Sequence, residues 1–202
     1  IEENSVLVRD YGRGIPLGKV VECVSKINTG GKYDSEAFKK SVGLNGVGIK
    51  AVNALSEYFK IQSIKNKKTI ILEYSRGEKT SQSDILDSDD SDGTYVEFIA
   101  DQNIFKKYRY IDDYIKDQVM YYAYLNSDLS IYYNKVKYQS KDGLKDLLKD
   151  KTKKYNIVYP IIHLKDEDIE MAMTHSGNYG EEHYSFVNGQ HTAHGGTHLT
   201  AF

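Results

Sequence analysis

Residues 42–56 read VGLNGVGIKAVNALS. Three glycines, Gly43, Gly46 and Gly48, fall within six positions and run straight into a segment with helical periodicity. Glycine lets the backbone take positive φ and lets other atoms approach closely. The first turn of a helix has unpaired N–H groups and carries the positive end of the helix dipole. Together these make an anion cradle, most usefully for phosphates. Two familiar nucleotide loops do not match it. The dinucleotide fingerprint needs G-x-G-x-x-G after a strand, whereas here G-x-x-G-x-G follows a polar segment. The P-loop needs G-x-x-x-x-G-K-[ST], but Ile49 stands at the lysine position and Lys50 comes one residue late. One residue turns a helix by about 100°, so the Lys50 side chain is expected to point elsewhere. On the loop alone, a flexible connection leading into a helix is an equally open reading.

A second motif lies upstream. Residues 4–9, NSVLVR, alternate like a strand, and Asp10-Tyr11-Gly12-Arg13-Gly14-Ile15-Pro16 follows at its end. A buried carboxylate there can accept a hydrogen bond from the exocyclic amine of adenine. It would reject guanine, whose carbonyl would leave the acid facing an acceptor. Gly12 and Gly14 would let a flat ring lie against the backbone. An acid in a glycine-rich turn is also an ordinary turn former.

Composition narrows the classes. The chain has 202 residues, enough for one large domain or one domain and part of another. A formal net charge of −2 makes it a poor candidate for a main DNA-holding surface. A single cysteine, Cys23, leaves no internal disulfide framework and fits a reducing cytosol. No apolar run approaches the ~20 residues needed to span a bilayer, and no signal peptide is seen. Tyrosine is abundant and tryptophan absent, which reads as amphipathic packing at half-buried positions. The chain opens on Ile1 rather than Met and closes on GGTHLTAF; a piece of a longer protein is expected.

The remaining pattern predicts a helix over 17–27, with Val20, Val21, Val24 and Ile27 on one face, then a polar connection, NTGGKYDSEAFKKS. The helix after the glycine loop is predicted to carry Val52, Leu55 and Phe59 on one side. A hairpin over 60–75, a solvated acidic loop at SDILDSDDSDG and a buried strand over 94–100 follow. A long helix is then predicted with Tyr108, Ile111, Ile115, Val119 and Tyr122 on one stripe, ending near Asn126. A strand pair over 129–138, a short helix at DGLKDLLKD, the linker KTKK and three strand-like segments complete the chain. This order argues for an α+β fold, with helices on one face of a mostly antiparallel sheet.

The motifs D-x-G-R-G-I-P, I-N-T-G-G-K-Y-D, G-L-N-G-V-G-x-K-A-V-N-A-L-S, D-G-T and S-F-V-N…G-G-T-H occur in this order from about residue 4 to the end. In this the chain resembles the ATPase region of the B subunit of bacterial type IIA topoisomerases, DNA gyrase and topoisomerase IV, within the GHKL ATPase group. The resemblance implies a GHKL (Bergerat-type) α/β sandwich over 1–153, without its N-terminal helix, and the beginning of a transducer domain over 154–202. It implies that Asp10 binds the adenine amine and that Thr94 shares the adenine-site water. Arg13, Gly14, Ile15 and Pro16 would wall the adenine, and Lys32 would lie near the phosphates on a lid. Gly43, Leu44, Asn45, Gly46, Val47 and Gly48 would hold the β- and γ-phosphates through backbone N–H groups.

Bacterial gyrases usually have glycine where Val42 stands and histidine where Asn45 stands. Asn45 with Lys50 looks more like the eukaryotic topoisomerase II loop, while VNALS looks bacterial. The resemblance therefore points to a topoisomerase IV-like or divergent gyrase-like bacterial subunit. It also implies ATP and Mg²⁺ as cofactors and DNA as the object of strand passage. The implied partner is a DNA-cleaving A-type subunit, with a homodimer of B subunits in an A2B2 assembly, cytoplasmic and away from membranes. No catalytic residue is assigned in this chain, because the general-base Glu and the Mg²⁺-binding Asn are expected upstream of Ile1. Without them the 202-residue chain is expected not to hydrolyse ATP at a useful rate. Three rival readings stand beside this one: a metal site at His191, His194 and His198, another GHKL member, and an adenine-nucleotide-binding module without hydrolysis.

Overall fold

A computed structural model describes residues 4–27, 29 and 46–202. Its contacts divide the chain into two compact units, Ile1–Tyr110 and Ile111–Phe202. The first unit is built on a six-stranded antiparallel sheet. Its strands are β1 (Ser5–Asp10), β2 (Ser56–Lys65), β3 (Lys68–Ser75), β4 (Glu78–Gln82), β5 (Leu86–Asp87) and β6 (Gly93–Ala100). They lie in the order β1-β6-β2-β3-β4, and β5 also pairs with β3. A 3-10 turn at Leu17–Lys19 leads into α1 (Val20–Ser25); α2 (Gly48–Ala54) precedes β2, and α3 (Gln102–Phe105) follows β6.

Alternation along the strands decides which face is covered. Phe59 on β2 pairs with Tyr74 on β3 and Phe98 on β6, and Ile61 pairs with Leu72 and Val96. These residues form one cluster with Val20 and Val24 of α1, and Ile49 and Val52 of α2 pack against it. Phe59 meets Tyr74 edge-on at 6.0 Å, a favoured aromatic geometry. The opposite face carries polar pairs: Lys60 pairs with Glu73 and Glu97, and the Tyr58 hydroxyl donates to Glu73 at 3.2 Å. Burial and Glu73 push the Tyr58 phenol up to about 12, so it stays a neutral donor. This is the half-buried role expected of the tyrosines.

Three element expectations need correction. The helix after the glycine loop ends at Ala54, and Phe59 belongs to β2. Ser56 donates its Oγ to the Val52 carbonyl at the helix end, and the alternation from Tyr58 onward suits a strand. The acidic stretch after residue 82 is not all loop, since β5 pairs with β3 through Lys68↔Asp87 and Thr69↔Leu86. The β2–β3 turn is as predicted: Asn66 and Lys67 both take positive φ, 52° and 59°, as a two-residue hairpin turn requires.

The second unit contains α4 (Asp112–Leu125), the hairpin β7 (Ile131–Tyr133)–β8 (Val136–Tyr138) and α5 (Leu144–Thr152). It continues with the pair β9 (Ile162–Lys165)–β10 (Glu170–Met173), the pair β11 (Phe186–Val187)–β12 (Gln190–His191) and α6 (Thr197–Ala201). The predicted stripe on α4 is the third correction. The helix starts at Asp112, Ile111 and Tyr122 are exposed, and Ala123 and Tyr124 are its buried residues. The Tyr124 hydroxyl donates to Asp150 of α5, which selects that face. Glu170 of β10 accepts from the Leu144 N–H at 2.9 Å and lies 2.9 Å from His163 Nε2. The boundary expected at 153/154 falls inside this unit, just after α5, whose predicted linker residues Lys151 and Thr152 are still helical. No helix among the described residues is long and apolar enough to cross a membrane.

In the first unit an ion pair between half-exposed Arg76 and buried Asp101 closes the end of the sheet. Arg76 donates Nε to Asp101 Oδ2 at 2.6 Å, and Asp101 also caps α3 by accepting from the Asn103 N–H at 2.9 Å. The Arg76 hydrogen bond, and then the Asn103 N–H, hold the Asp101 carboxyl below its ordinary range. A lowered carboxylate stabilises the fold fully above its unfolded value of about 3.9, and that contribution is lost as pH falls through the folded value. Asp101→Asn is therefore expected to lower Tm at neutral pH, with the gap to wild type closing in calorimetry as pH falls below that unfolded value. A gap independent of pH would contradict this role.

Candidate functional site

The site is assembled where β1 ends. Asp10 is the last residue of β1 and lies directly across from Thr94 of β6, whose other neighbour is Ser63 of β2. The three form one row on the helix-covered face of the sheet. The expectation of a buried carboxylate is corrected. Among the described residues no strand pairs with the outer side of β1, Asp10 is exposed, and its Oδ1 accepts from the Gly12 N–H at 2.8 Å. This short hydrogen-bonded turn orients the carboxylate.

Residues 11–16 then fold back onto the sheet ends. Ser63, fully buried, donates Oγ to the Ile15 carbonyl at 2.7 Å. Lys65 donates Nζ to the Arg13 carbonyl at 2.6 Å. Gly14 has φ +63°, and a methyl group on it would overlap the carbonyl oxygen of Ile64. Gly93, of the D-G-T motif, has φ +142°, and a methyl group there would overlap the carbonyl oxygen of Asp10. Both positions thus need glycine for conformation and for space. Ile15 packs against the central cluster, whereas Arg13 and Pro16 are exposed.

The second half of the site is the start of α2. Gly46 and Val47 precede the helix and Gly48 begins it. Among the described residues, nothing stands within 4 Å of where a Cβ on Gly48 would be. Ile49 packs on the same cluster as Ile15, so one core supports both halves. Lys50 points away from this open space, as its helical position predicts. It is 7% exposed and donates Nζ to the Thr29 carbonyl at 2.7 Å and to the Gly46 carbonyl. Burial pushes the nearby Cys23 thiol up, with Lys50 acting in the opposite sense. Lys32, Gly43, Leu44 and Asn45 lie outside the described residues.

Sequence reasoning missed Ser63, Lys65 and the inward role of Lys50. Ser63 was legible in principle, since it takes the inward phase set by Phe59 and Ile61. The histidine cluster does not assemble. His191 lies parallel to Tyr121, with centroids 6.0 Å apart, and His198 Nε2 meets Thr192 Oγ1 at 3.1 Å. No group of three or more His, Cys, Asp or Glu among the described residues could hold a metal.

The glycine contacts give a direct test. Gly14→Ala is expected to destabilise the protein by more than about 1 kcal/mol, because the new methyl meets fixed backbone. Gly18→Ala, with nothing within 4 Å, is expected to stay within about 0.5 kcal/mol of wild type. Denaturant unfolding measures both, and equal effects would refute the close approach.

Comparison with known proteins gives a consistent result. The family described as DNA gyrase B matches residues 94–202. The B subunit of DNA topoisomerase 4 from Borreliella burgdorferi is 51% identical over 201 residues, covering 100% of this chain and 33% of that protein. The B subunit of DNA gyrase from Helicobacter pylori is 35% identical, covering 100% and 29%. The chain thus spans about a third of the length of these relatives. Among solved structures, the 43K ATPase domain of Thermus thermophilus gyrase B, in complex with an aminocoumarin, aligns with a TM-score of 0.75 at 25% identity. The alignment covers 98% of this chain and 56% of that one. The topoisomerase IV ATP-binding domain of Francisella tularensis, in complex with a small-molecule inhibitor, shares the fold with a TM-score of 0.63 at 23% identity, over 83% and 47% of the two chains. The family match extends over more than half of the chain, and longer relatives align along all of it: the chain belongs to the DNA gyrase B family.

Proposed function

We propose that the chain is the ATP-binding part of the B subunit of a type IIA DNA topoisomerase. In the full-length protein it would couple ATP binding and hydrolysis to DNA strand passage. The observation that carries this is the row of exposed Asp10 and partly exposed Thr94 where β1 ends and β6 begins, with a glycine-lined start of α2 that rests on the same core and is open among the described residues. The residues fit an adenine nucleotide. Asp10 accepts from the exocyclic amine and Thr94 shares the ordered water there. Gly14 keeps the backbone close to the sheet, while Arg13, Ile15 and Pro16 form the wall of the ring. The N–H groups of Gly46, Val47 and Gly48 face the phosphates, with Gly43, Leu44, Asn45 and Lys32 completing that end. When bound, ATP supplies the γ-phosphate whose hydrolysis resets the cycle.

Mg²⁺ enters this proposal with the phosphates. Its protein ligand would be the asparagine implied upstream, as the general base would be the implied glutamate. DNA, a DNA-cleaving A-type subunit and a second copy of the B subunit within an A2B2 assembly would be the partners, in the cytoplasm. The ATPase part would run to residue 153 and the transducer would begin at 154.

The adenine contact is testable in the full-length protein. Asp10→Asn keeps an oxygen for the Gly12 N–H but removes the charge that receives the amine. It is expected to weaken a non-hydrolysable ATP analogue by about tenfold or more, and to narrow the preference over the guanine analogue. Calorimetric titration reads both. Unchanged affinity, or a wild-type protein that binds neither analogue, would overturn the proposal.

A further inference from the structure

Lys50 stands one residue past the place of a P-loop lysine, and its side chain runs inward. A buried ammonium needs acceptors close by. Its described acceptors are two carbonyls far apart in sequence, those of Thr29 and Gly46. Thr29 is itself held, because its hydroxyl lies 2.7 Å from the Glu22 carbonyl and 2.6 Å from the Lys26 carbonyl at the C-terminal end of α1, sharing its one proton between them. One turn further along α2, the buried Asn53 donates Nδ2 to the Val24 carbonyl at 3.0 Å. Positions three apart share a helix face. The side of α2 turned to α1 therefore carries two polar anchors, both closed on backbone carbonyls of α1 or its exit. Gly46 sits tightly inside this arrangement: a Cβ on it would stand 2.8 Å from the Thr29 carbonyl oxygen and 3.3 Å from Lys50 Nζ.

We propose that Lys50 is a positioning residue for the phosphate end of the nucleotide site, acting as a staple between the exit of α1 and Gly46 rather than as a phosphate ligand. This rests on the nucleotide reading above. The staple fixes the direction of the backbone through Gly46, Val47 and Gly48 before any ligand arrives. A lysine serves because one ammonium carries three donors on a long stem, and two of them join segments that share no strand or helix.

Hydrogen–deuterium exchange on the nucleotide-free chain tests the staple without any ligand. Lys50→Gln is expected to raise exchange of the amides over 46–51 by about tenfold, with the β2–β3 amides unchanged. Lys50→Arg, which still offers several donors, is expected to keep most of the protection. Thr29→Ala leaves the lysine in place but frees Thr29 from α1, and is expected to raise exchange over 46–51 in the same direction. It remains informative if Lys50→Gln loosens the whole fold. Affinity for the ATP analogue should fall in both variants in step with exchange. Unchanged exchange over 46–51 in both variants overturns the staple. So does affinity lost in Lys50→Gln alone while Thr29→Ala binds normally, which would make Lys50 a direct ligand. A wild-type protein that binds no nucleotide while the exchange pattern holds refutes the nucleotide reading and leaves the staple standing.

Discussion

The contact between the backbone at Gly14 and the carbonyl of Ile64 leaves no room for a side chain. It presses residues 11–16 against the ends of β2 and β6. Gly93 makes the matching contact with Asp10 from the other side. The β1–β6 register then decides that Asp10 and Thr94 stand side by side at the rim. Ser63 and Lys65 hold the returning loop by its carbonyls at Ile15 and Arg13. An acid, a hydroxyl and a flat backbone surface converge because three chain segments approach more closely than side chains would allow.

The same core carries the other half of the site. Val20, Val24, Phe59, Ile61 and Leu72 are almost wholly buried, and both Ile15 and Ile49 rest on them. Burial on this scale is the main stabilising term for such a layer. It gives the glycine start of α2 a rigid base, whereas its direction is set by polar groups, Lys50 and Asn53, that reach carbonyls at α1 and its exit. Hydrophobic contact is non-directional; hydrogen bonds to buried carbonyls are not. Each kind of interaction supplies what the other lacks.

Much of this was legible in the residues. The alternation of NSVLVR marked β1, residues 94–100 read as the strand that is β6, and Gly12 and Gly14 read as a backbone that a flat ring could approach, whereas the close contact of Gly93 with Asp10 emerged only from the structure. What could not be read were features that depend on neighbours distant in sequence. Asp10 is exposed among the described residues, which local pattern does not encode. β5 exists because Leu86 and Asp87 find Thr69 and Lys68, against a composition that suits a loop. On α4, Tyr124 is buried through its partner Asp150; the apolar stripe holds at half-buried Ile115 and Val119 but fails at its exposed ends, Ile111 and Tyr122. Helix rotation marked Lys50 as out of place for a P-loop lysine, but its inward destination required the position of Thr29.

The central claim is that the Asp10–Thr94 rim and the start of α2 are two ends of one nucleotide site. Its most direct test is an amide NMR titration of the ¹⁵N-labelled protein with a non-hydrolysable ATP analogue. The amides of Gly12, Gly14 and Thr94 should shift together with those of Gly46 and Gly48, in one saturable transition. Shifts at only one of these groups, or confined to residues of the Ile111–Phe202 unit, would contradict it.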